Sequence, residues 1–114
     1  MGVLRVYWVI CIGLVACSSG QSRVDDRALG DETFANVCSK CHGAHGEGGL
    51  PITPGGPKPR DLSDPAWQLS KSDGEIEHAV REGRIPMPAF KTVLTSAQIR
   101  AVVGKVRRLR KGTK

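Results

Sequence analysis

The sequence predicts an all-α protein with three main helices and long loops. Two capping boxes, which begin at Ser72 and Thr95, each precede a segment of helical periodicity. Nearer the N-terminus, Gly30, Phe34 and Cys38 recur every four residues and so share one helical face. No segment shows the alternation of a β-strand, and we therefore expect no sheet.

The three predicted helices follow one another along the chain. The first is expected from about Asp31 to Cys41. The second begins at Ser72 and stops at Gly83, because glycine commonly follows the last residue of a helix. The third begins after Thr95. Its apolar residues share one face, which comprises Ile99, Val102, Val103, Val106 and Leu109.

The first helix ends in the attachment motif of a c-type haem, Cys38-Ser39-Lys40-Cys41-His42. The two thiols have the spacing to add to the two vinyl groups on one edge of a porphyrin. The imidazole beside the second thiol is then placed under the iron. The alternative is a structural or redox CxxC that happens to precede a histidine. We predict one covalent haem c, bound through Cys38 and Cys41, with His42 as an iron ligand.

A long irregular loop follows this motif. Residues 43–60 contain six glycines and four prolines, which prevents regular secondary structure. Long structureless loops in small domains are usually functional. We expect this loop to wrap the edge of the flat cofactor.

The N-terminus predicts export and a lipid anchor. Residues 1–16 combine one positive charge with an apolar run of 11 residues, Val6 to Ala16, which is too short to span a bilayer and is typical of a signal peptide. The run ends Leu14-Val15-Ala16-Cys17, which resembles the lipobox of bacterial lipoproteins. An ordinary secretory peptide with a chance cysteine is the alternative.

The predicted organisation therefore has three parts. Residues 1–16 are a lipoprotein signal peptide that is removed. Residues 17–29 are a flexible tether acylated on Cys17, and residues 30–114 form the haem domain with a basic C-terminal tail. The expected location is the periplasmic face of a bacterial membrane. Ser18 favours the outer membrane over the inner one, by the sorting pattern of Gram-negative lipoproteins.

Every cysteine has a use in this account. Cys11 leaves with the signal peptide, Cys17 takes lipid, and Cys38 and Cys41 take haem, so none remains for a disulfide. The chain left after removal of the predicted signal peptide is small, and domains of this size bury only a modest fraction of their surface. We expect the buried haem to complete the core and the haem-free protein to be largely unfolded.

Met87 is the predicted second iron ligand. It lies between Pro86 and Pro88, which restrict the backbone of the loop that presents it. A core gap-filling role is the alternative for a methionine. His45 in the glycine-rich loop and His78 on the middle helix are rival ligands. A histidine–methionine pair raises the potential of a haem relative to two histidines.

Over roughly Gly30 to Arg108, these features together resemble a class I monohaem cytochrome c. The resemblance implies that the carbonyl of Pro51 accepts a hydrogen bond from His42. It also implies that Arg60 or the indole of Trp67 holds a haem propionate; a solvated surface charge is the alternative for Arg60. One position departs from the family pattern. Lys105 stands where the last helix usually carries an aromatic residue, and we expect smaller side chains to rebuild that contact.

The resemblance and the closed iron site predict an electron carrier, and not an enzyme by itself. The expected partners are redox proteins, and we expect a monomer with neither nucleic acid nor a small-molecule substrate. The alternative is a dedicated haem subunit of a periplasmic or membrane-bound reductase or dehydrogenase complex. A third possibility is a haem enzyme or ligand sensor in which Met87 does not bind iron.

The chain is basic, with a formal net charge of +6, and the excess lies near its end. From Ala97 onward there are seven basic residues and no acidic ones, namely Arg100, Lys105, Arg107, Arg108, Arg110, Lys111 and Lys114. Cations stabilise a helix C-terminus. Such a tail also suits anionic lipid or an acidic docking face, while a solvated tail is the plainer alternative.

Overall fold

A computed structural model describes residues 19–49 and 51–112 of the chain. The predicted signal peptide and Cys17 lie outside the described residues. The elements in order are α1 (Ser19–Thr33), a π-helical segment (Phe34–Cys38), α2 (Ser39–His42), α3 (Pro65–Ser70), α4 (Asp73–Glu82) and α5 (Ser96–Arg108). No strand occurs in the described ranges, where the sole β-type pairing is the isolated bridge between Arg84 and Met87. The all-α prediction is confirmed.

The N-terminal helix is longer than the sequence predicted. It begins at Ser19 instead of about Asp31, runs through the π-helical segment into α2, and stops at Gly43, whose φ is +84°. Residues 22–28 are exposed. Apolar periodicity reveals a helix only where it packs, so it gave no sign of this exposed part. The predicted tether is therefore helical from Ser19 onward, and its lipid attachment stays a prediction.

Both predicted capping boxes are confirmed. Ser72 Oγ accepts a hydrogen bond from the Glu75 amide at 3.2 Å, and the Ser72 amide donates to the Glu75 carboxylate at 2.8 Å. Thr95 and Gln98 make the same reciprocal pair at 3.1 and 2.9 Å. These bonds satisfy amides that the first turn of a helix leaves free. Gly83 follows α4 as predicted, with a φ of +75°.

The short helix α3 was not predicted, although its signal is in the sequence. Asp64 accepts a hydrogen bond from the Ala66 amide at 2.9 Å, and Pro65 occupies the first helical position. An aspartate cap before a proline is a usual helix start. The segment was too short for periodicity to reveal a face.

The core forms where α1 crosses α5. Gly30 is buried at the crossing, and a Cβ atom on it would collide with the carbonyl group of Ala101. Phe34, Ile99 and Val102 are at most 1% exposed beside this contact. Leu62, Ile76, Val80, Leu94, Val103 and Val106 complete the buried cluster. The apolar face predicted for the last helix is thus the one that the fold buries, with Leu109 at its half-buried edge.

Lys105 takes part in the same crossing. Its Nζ lies 5.9 Å from the centroid of the Phe34 ring and 3.0 Å from Asp31 Oδ1. Arg108 reaches the same carboxylate oxygen at 2.8 Å, and the two cations hold the pKa of Asp31 below its ordinary value. A cation over a ring and an apolar stem beside it supply packing as well as charge. The long cationic side chain of Lys105 therefore takes part in the contact, beside the small residues Gly30, Ala101 and Val102 at the crossing.

Candidate haem site

A cavity of about 1380 Å³ opens between the CxxCH helix, α3, α4 and α5. It exceeds the roughly 300–1,000 Å³ of most small-molecule pockets. Six of the predicted site residues line it, namely Cys38, Cys41, His42, Arg60, Trp67 and Met87. Pro51 is not among the lining residues. The fold thus brings together residues that are up to 49 positions apart in the chain.

The cavity wall begins with the two thiols. Cys38 ends the π-helical segment, and Cys41 lies in the last helical turn before Gly43. Cys38 packs against the apolar core. Burial, with a smaller contribution from the neighbouring Cys41, raises the pKa of the Cys38 thiol to about 11. In the haem-free chain the apolar surroundings of Cys38 thus disfavour the thiolate.

His42 is oriented by a backbone carbonyl. Its Nδ1 lies 2.9 Å from the oxygen of Arg60. A carbonyl oxygen only accepts hydrogen bonds, so this contact requires the proton on Nδ1 and leaves a lone pair on Nε2. That tautomer is the one a histidine ligand needs, and such a partner fixes the ring and raises its basicity. The resemblance assigned this role to the carbonyl of Pro51, whereas the structure gives it to Arg60.

The glycine-rich loop brings Arg60 to the histidine. The Gly48 amide donates to the carbonyl of His42 at 2.9 Å, and the Leu62 amide donates to the carbonyl of Gly46 at 2.6 Å. Gly48 has a φ of +80°, and a Cβ atom on it would lie 2.9 Å from the carbonyl oxygen of Pro59. Only glycine allows both this conformation and this approach. The loop therefore folds back on itself so that its far end meets His42.

Met87 is held in a tight turn against the end of α4. The amides and carbonyls of Arg84 and Met87 pair reciprocally at 3.0 and 2.7 Å. The Phe90 amide donates to the Val80 carbonyl at 3.0 Å, which satisfies one of the free carbonyls of the helix end. A Cβ atom on Gly83 would lie 2.8 Å from the carbonyl oxygen of Met87. The methionine itself is half-buried and packs on the core.

The rival iron ligands and the predicted propionate partners lie at different places relative to the cavity. His78 is exposed on α4 and lines the cavity, whereas His45 is exposed and lies outside it. The backbone amide of His45 donates to Glu47 at 3.0 Å. Trp67 is half-buried on α3 and packs on the core, while the side chain of Arg60 is exposed and makes no hydrogen bond or ion pair to another described residue. Both stay predicted propionate partners.

The residues present fit a haem. The cavity wall between the thiols and Met87 is mainly apolar, as a large flat apolar disc requires, and its apolar members include Phe34, Leu62, Ile76, Val80, Phe90, Val102 and Val106. The lining also includes the imidazoles of His42 and His78 and the thioether of Met87, and histidine and methionine are ligands of haem iron in c-type cytochromes. Within residues 19–49 and 51–112, no group of three or more His, Cys, Asp or Glu could hold a bare metal ion.

This all-α fold, with paired thiols and a histidine at a large apolar cavity, defines a c-type cytochrome. A family model described as "Cytochrome C oxidase, cbb3-type, subunit III" matches residues 25–104. Cytochrome c6 of Euglena viridis is 35% identical over 77 residues, which cover 68% of this chain and 85% of that protein. A solved structure, "KustC0563 c-type cytochrome", has a TM-score of 0.64 and 31% identity, and the match covers 72% of this chain and 98% of that one. The chain therefore belongs to this family of cytochrome c domains.

Membership settles the class and the cofactor. The chain is a class I monohaem cytochrome c, and its cofactor is one covalently bound haem c. Its function is haem-based electron transfer, and cytochromes of this family act with redox partner proteins, typically outside the cytoplasm. In the part of the chain that the structure describes, no helix is long and apolar enough to cross a membrane.

Proposed function

We propose that this protein is a one-electron carrier whose haem iron is bound by His42 and Met87. The observation that carries the proposal is that both side chains line one cavity, where the Arg60 carbonyl orients the His42 ring and backbone hydrogen bonds with Arg84 hold the main chain of Met87. The haem supplies the ferric–ferrous couple. The protein supplies the two ligands, an apolar shell and a controlled opening to solvent.

Two protein ligands argue for a carrier and against an enzyme. If His42 and Met87 both bind the haem iron, no coordination position would be left for a substrate. Arg60 fixes the ring of His42 through its carbonyl, and the turn at Arg84 fixes Met87. Ligands held in this way change little between oxidation states, which favours rapid electron exchange.

Removal of the methionine ligand tests the proposal. We expect the ferric holoprotein to show the weak red charge-transfer band of a methionine-ligated haem, and a reversible one-electron potential. Met87→Ala should lose the band, lower the potential and let the reduced protein bind carbon monoxide. His78→Ala is the matched control and should keep all three wild-type properties. A wild-type protein without the band, or one that binds carbon monoxide readily, would contradict His/Met ligation.

The contact with redox partners is proposed at the mouth of the cavity, and not at the basic C-terminal segment. Lys105 and Arg108 bind Asp31, and Arg107 binds Asp73 at 2.6 Å. These carboxylates engage three of the seven basic residues near the C-terminus, whereas Arg100 and Arg110 form no ion pair with another described residue. Lys105, Arg107 and Arg108 therefore have structural contacts that a purely solvated or docking tail would not need.

The cavity rim keeps its charge. Lys58, Arg60 and Arg84 line the cavity and form no ion pair with any residue in the described ranges. Ile52 and Ile85, which are 54% and 101% exposed, lie at the same opening. A partner with an apolar centre and acidic surroundings matches this rim in both charge and polarity.

A fixed subunit of a respiratory complex is the second candidate. It is favoured by the matching family model, whose description names a subunit of an oxidase. Extraction of membranes in mild detergent separates the two functions. A shuttle should be recovered free of other chains at moderate salt, whereas a subunit should co-purify with stoichiometric partners.

A lipid anchor on Cys17 is proposed for attachment to the periplasmic face of a membrane, with the outer membrane favoured. The support is the Leu14-Val15-Ala16-Cys17 sequence. Cys17→Ser should move the protein from the membrane fraction to the soluble periplasm without changing its haem spectrum. Unchanged fractionation would exclude the anchor.

A further inference from the structure

Arg107 makes the densest set of polar contacts in the described chain. Its Nε donates to Asp73 at 2.6 Å, and one terminal nitrogen donates to the backbone carbonyl and the side-chain oxygen of Gln68 at 2.7 and 2.9 Å. The other terminal nitrogen donates to the carbonyl of Lys71 at 2.5 Å. The guanidinium of α5 thus binds the end of α3 and the start of α4 together.

Gln68 extends these contacts into the core. It is 4% exposed, and its Nε2 donates at 2.7 Å both to the carbonyl of Leu62 and to that of Val106. Its side-chain oxygen accepts from Arg107. Both amide protons and the amide oxygen are therefore used, which fixes the orientation of the side chain. A buried amide with all its bonds made specifies one arrangement of the elements around it.

The helix that these residues hold is too short to be stable by itself. Helix α3 has six residues, and isolated helices below roughly 12–15 residues are marginal. The carbonyls of its last turn have no partner within the helix, and Arg107 takes two carbonyls in this region, at Gln68 and Lys71. Helix α3 also carries Trp67, which lines the haem cavity.

We propose that Arg107 and Gln68 are positioning residues that set Trp67 against the haem and so tune its reduction potential. Together they fix α3 relative to α4 and α5, which form the neighbouring cavity wall. A closed wall excludes water, and water favours the more highly charged ferric state. Loosening the wall therefore lowers the potential.

The inference deepens the proposed electron-carrying function and rests on it, and a double-mutant cycle in the holoprotein tests it. We expect Arg107→Gln to lower the potential, and we expect this shift to be much smaller when Trp67→Phe is already present. Arg108→Gln is the matched control, because it removes the same charge and an ion pair from the next residue of α5. A non-additive shift specific to Arg107 supports the inference.

Other outcomes overturn it. An equal shift in Arg107→Gln and Arg108→Gln would show a charge effect alone, and an unchanged shift in the Trp67→Phe background would show that Arg107 does not act through the indole. If Arg107→Gln yields no holoprotein, Arg107→Lys carries the same test, since lysine keeps the charge but lacks the planar fork. A reversible wild-type potential without coupling rejects the inference and leaves the proposed function standing.

Discussion

Gly30 offers the sharpest test of the helix crossing. A Cβ atom on this residue would meet the carbonyl group of Ala101, which belongs to the backbone of α5 and cannot rotate away. Gly30→Ala should therefore force the two helices apart where Phe34, Ile99 and Val102 are most deeply buried. We expect a clear loss of stability even though alanine is the better helix former.

The magnitude follows from two opposing terms. Alanine in place of glycine inside a helix gains about 1 kcal/mol. Overpacking of a core costs about 1–3 kcal/mol, and a clash with backbone falls at the upper end. The net loss is about 2 kcal/mol, which for a domain of this size lowers the melting temperature by roughly 10 °C.

A second glycine provides the matched control. A Cβ atom on Gly104, within α5, would meet only a terminal nitrogen of the flexible Arg108 side chain at 3.6 Å. Gly104→Ala should therefore stabilise the protein by up to about 1 kcal/mol. Thermal unfolding of both holoproteins, followed by far-UV circular dichroism and by haem absorbance, gives the comparison. A Gly30→Ala protein that melts at or above the wild-type temperature would refute the close crossing.

Three further predictions concern charge and cofactor. Asp31→Asn should cost up to about 1 kcal/mol at neutral pH; because the pKa of Asp31 is lowered in the fold, this difference should vanish as the pH falls below the ordinary value of 3.8. If the stability difference between the wild type and Asp31→Asn persists in acid, the two ion pairs of Asp31 are not its cause. Protein made without haem should lack a cooperative melt, and native-like circular dichroism would contradict this. Neutralising Lys58 and Arg84 together should slow electron transfer to an acidic partner at low salt, while Arg100→Gln should not; equal rates across salt concentrations would reject docking at the rim.

Local signals accounted for much of the fold. Each capping box depends on residues three positions apart, so Ser72 with Glu75 and Thr95 with Gln98 could be found from the sequence alone. Helix α3 has an equally local signal at Asp64 and Pro65, but six residues are too few to show helical periodicity. The exposed start of α1 gave no pattern, since nothing packs on it to require apolar residues.

The haem site also combines residues that the sequence reveals with contacts that only the fold creates. The paired cysteines with His42 and the proline-flanked Met87 are short motifs whose chemistry is evident without a fold. The partner of His42 is not such a motif, because a backbone carbonyl carries no sequence signature. Whether the carbonyl of Arg60 or that of Pro51 accepts the hydrogen bond from His42 depends on the backbone conformation of the glycines between them and His42. Gln68 likewise gave no sign in the sequence of the three bonds it makes.

The sequence by itself determined the all-α class, the covalent haem and the residues that flank it, because each rests on neighbours within a few positions. The tertiary structure alone decided what the basic residues near the C-terminus do. Asp31 and Asp73 are 77 and 34 positions from the arginines they bind, and only folding brings them together. Lys105, Arg107 and Arg108, which the sequence shows as part of a basic tail, are thereby paired with carboxylates from other parts of the fold.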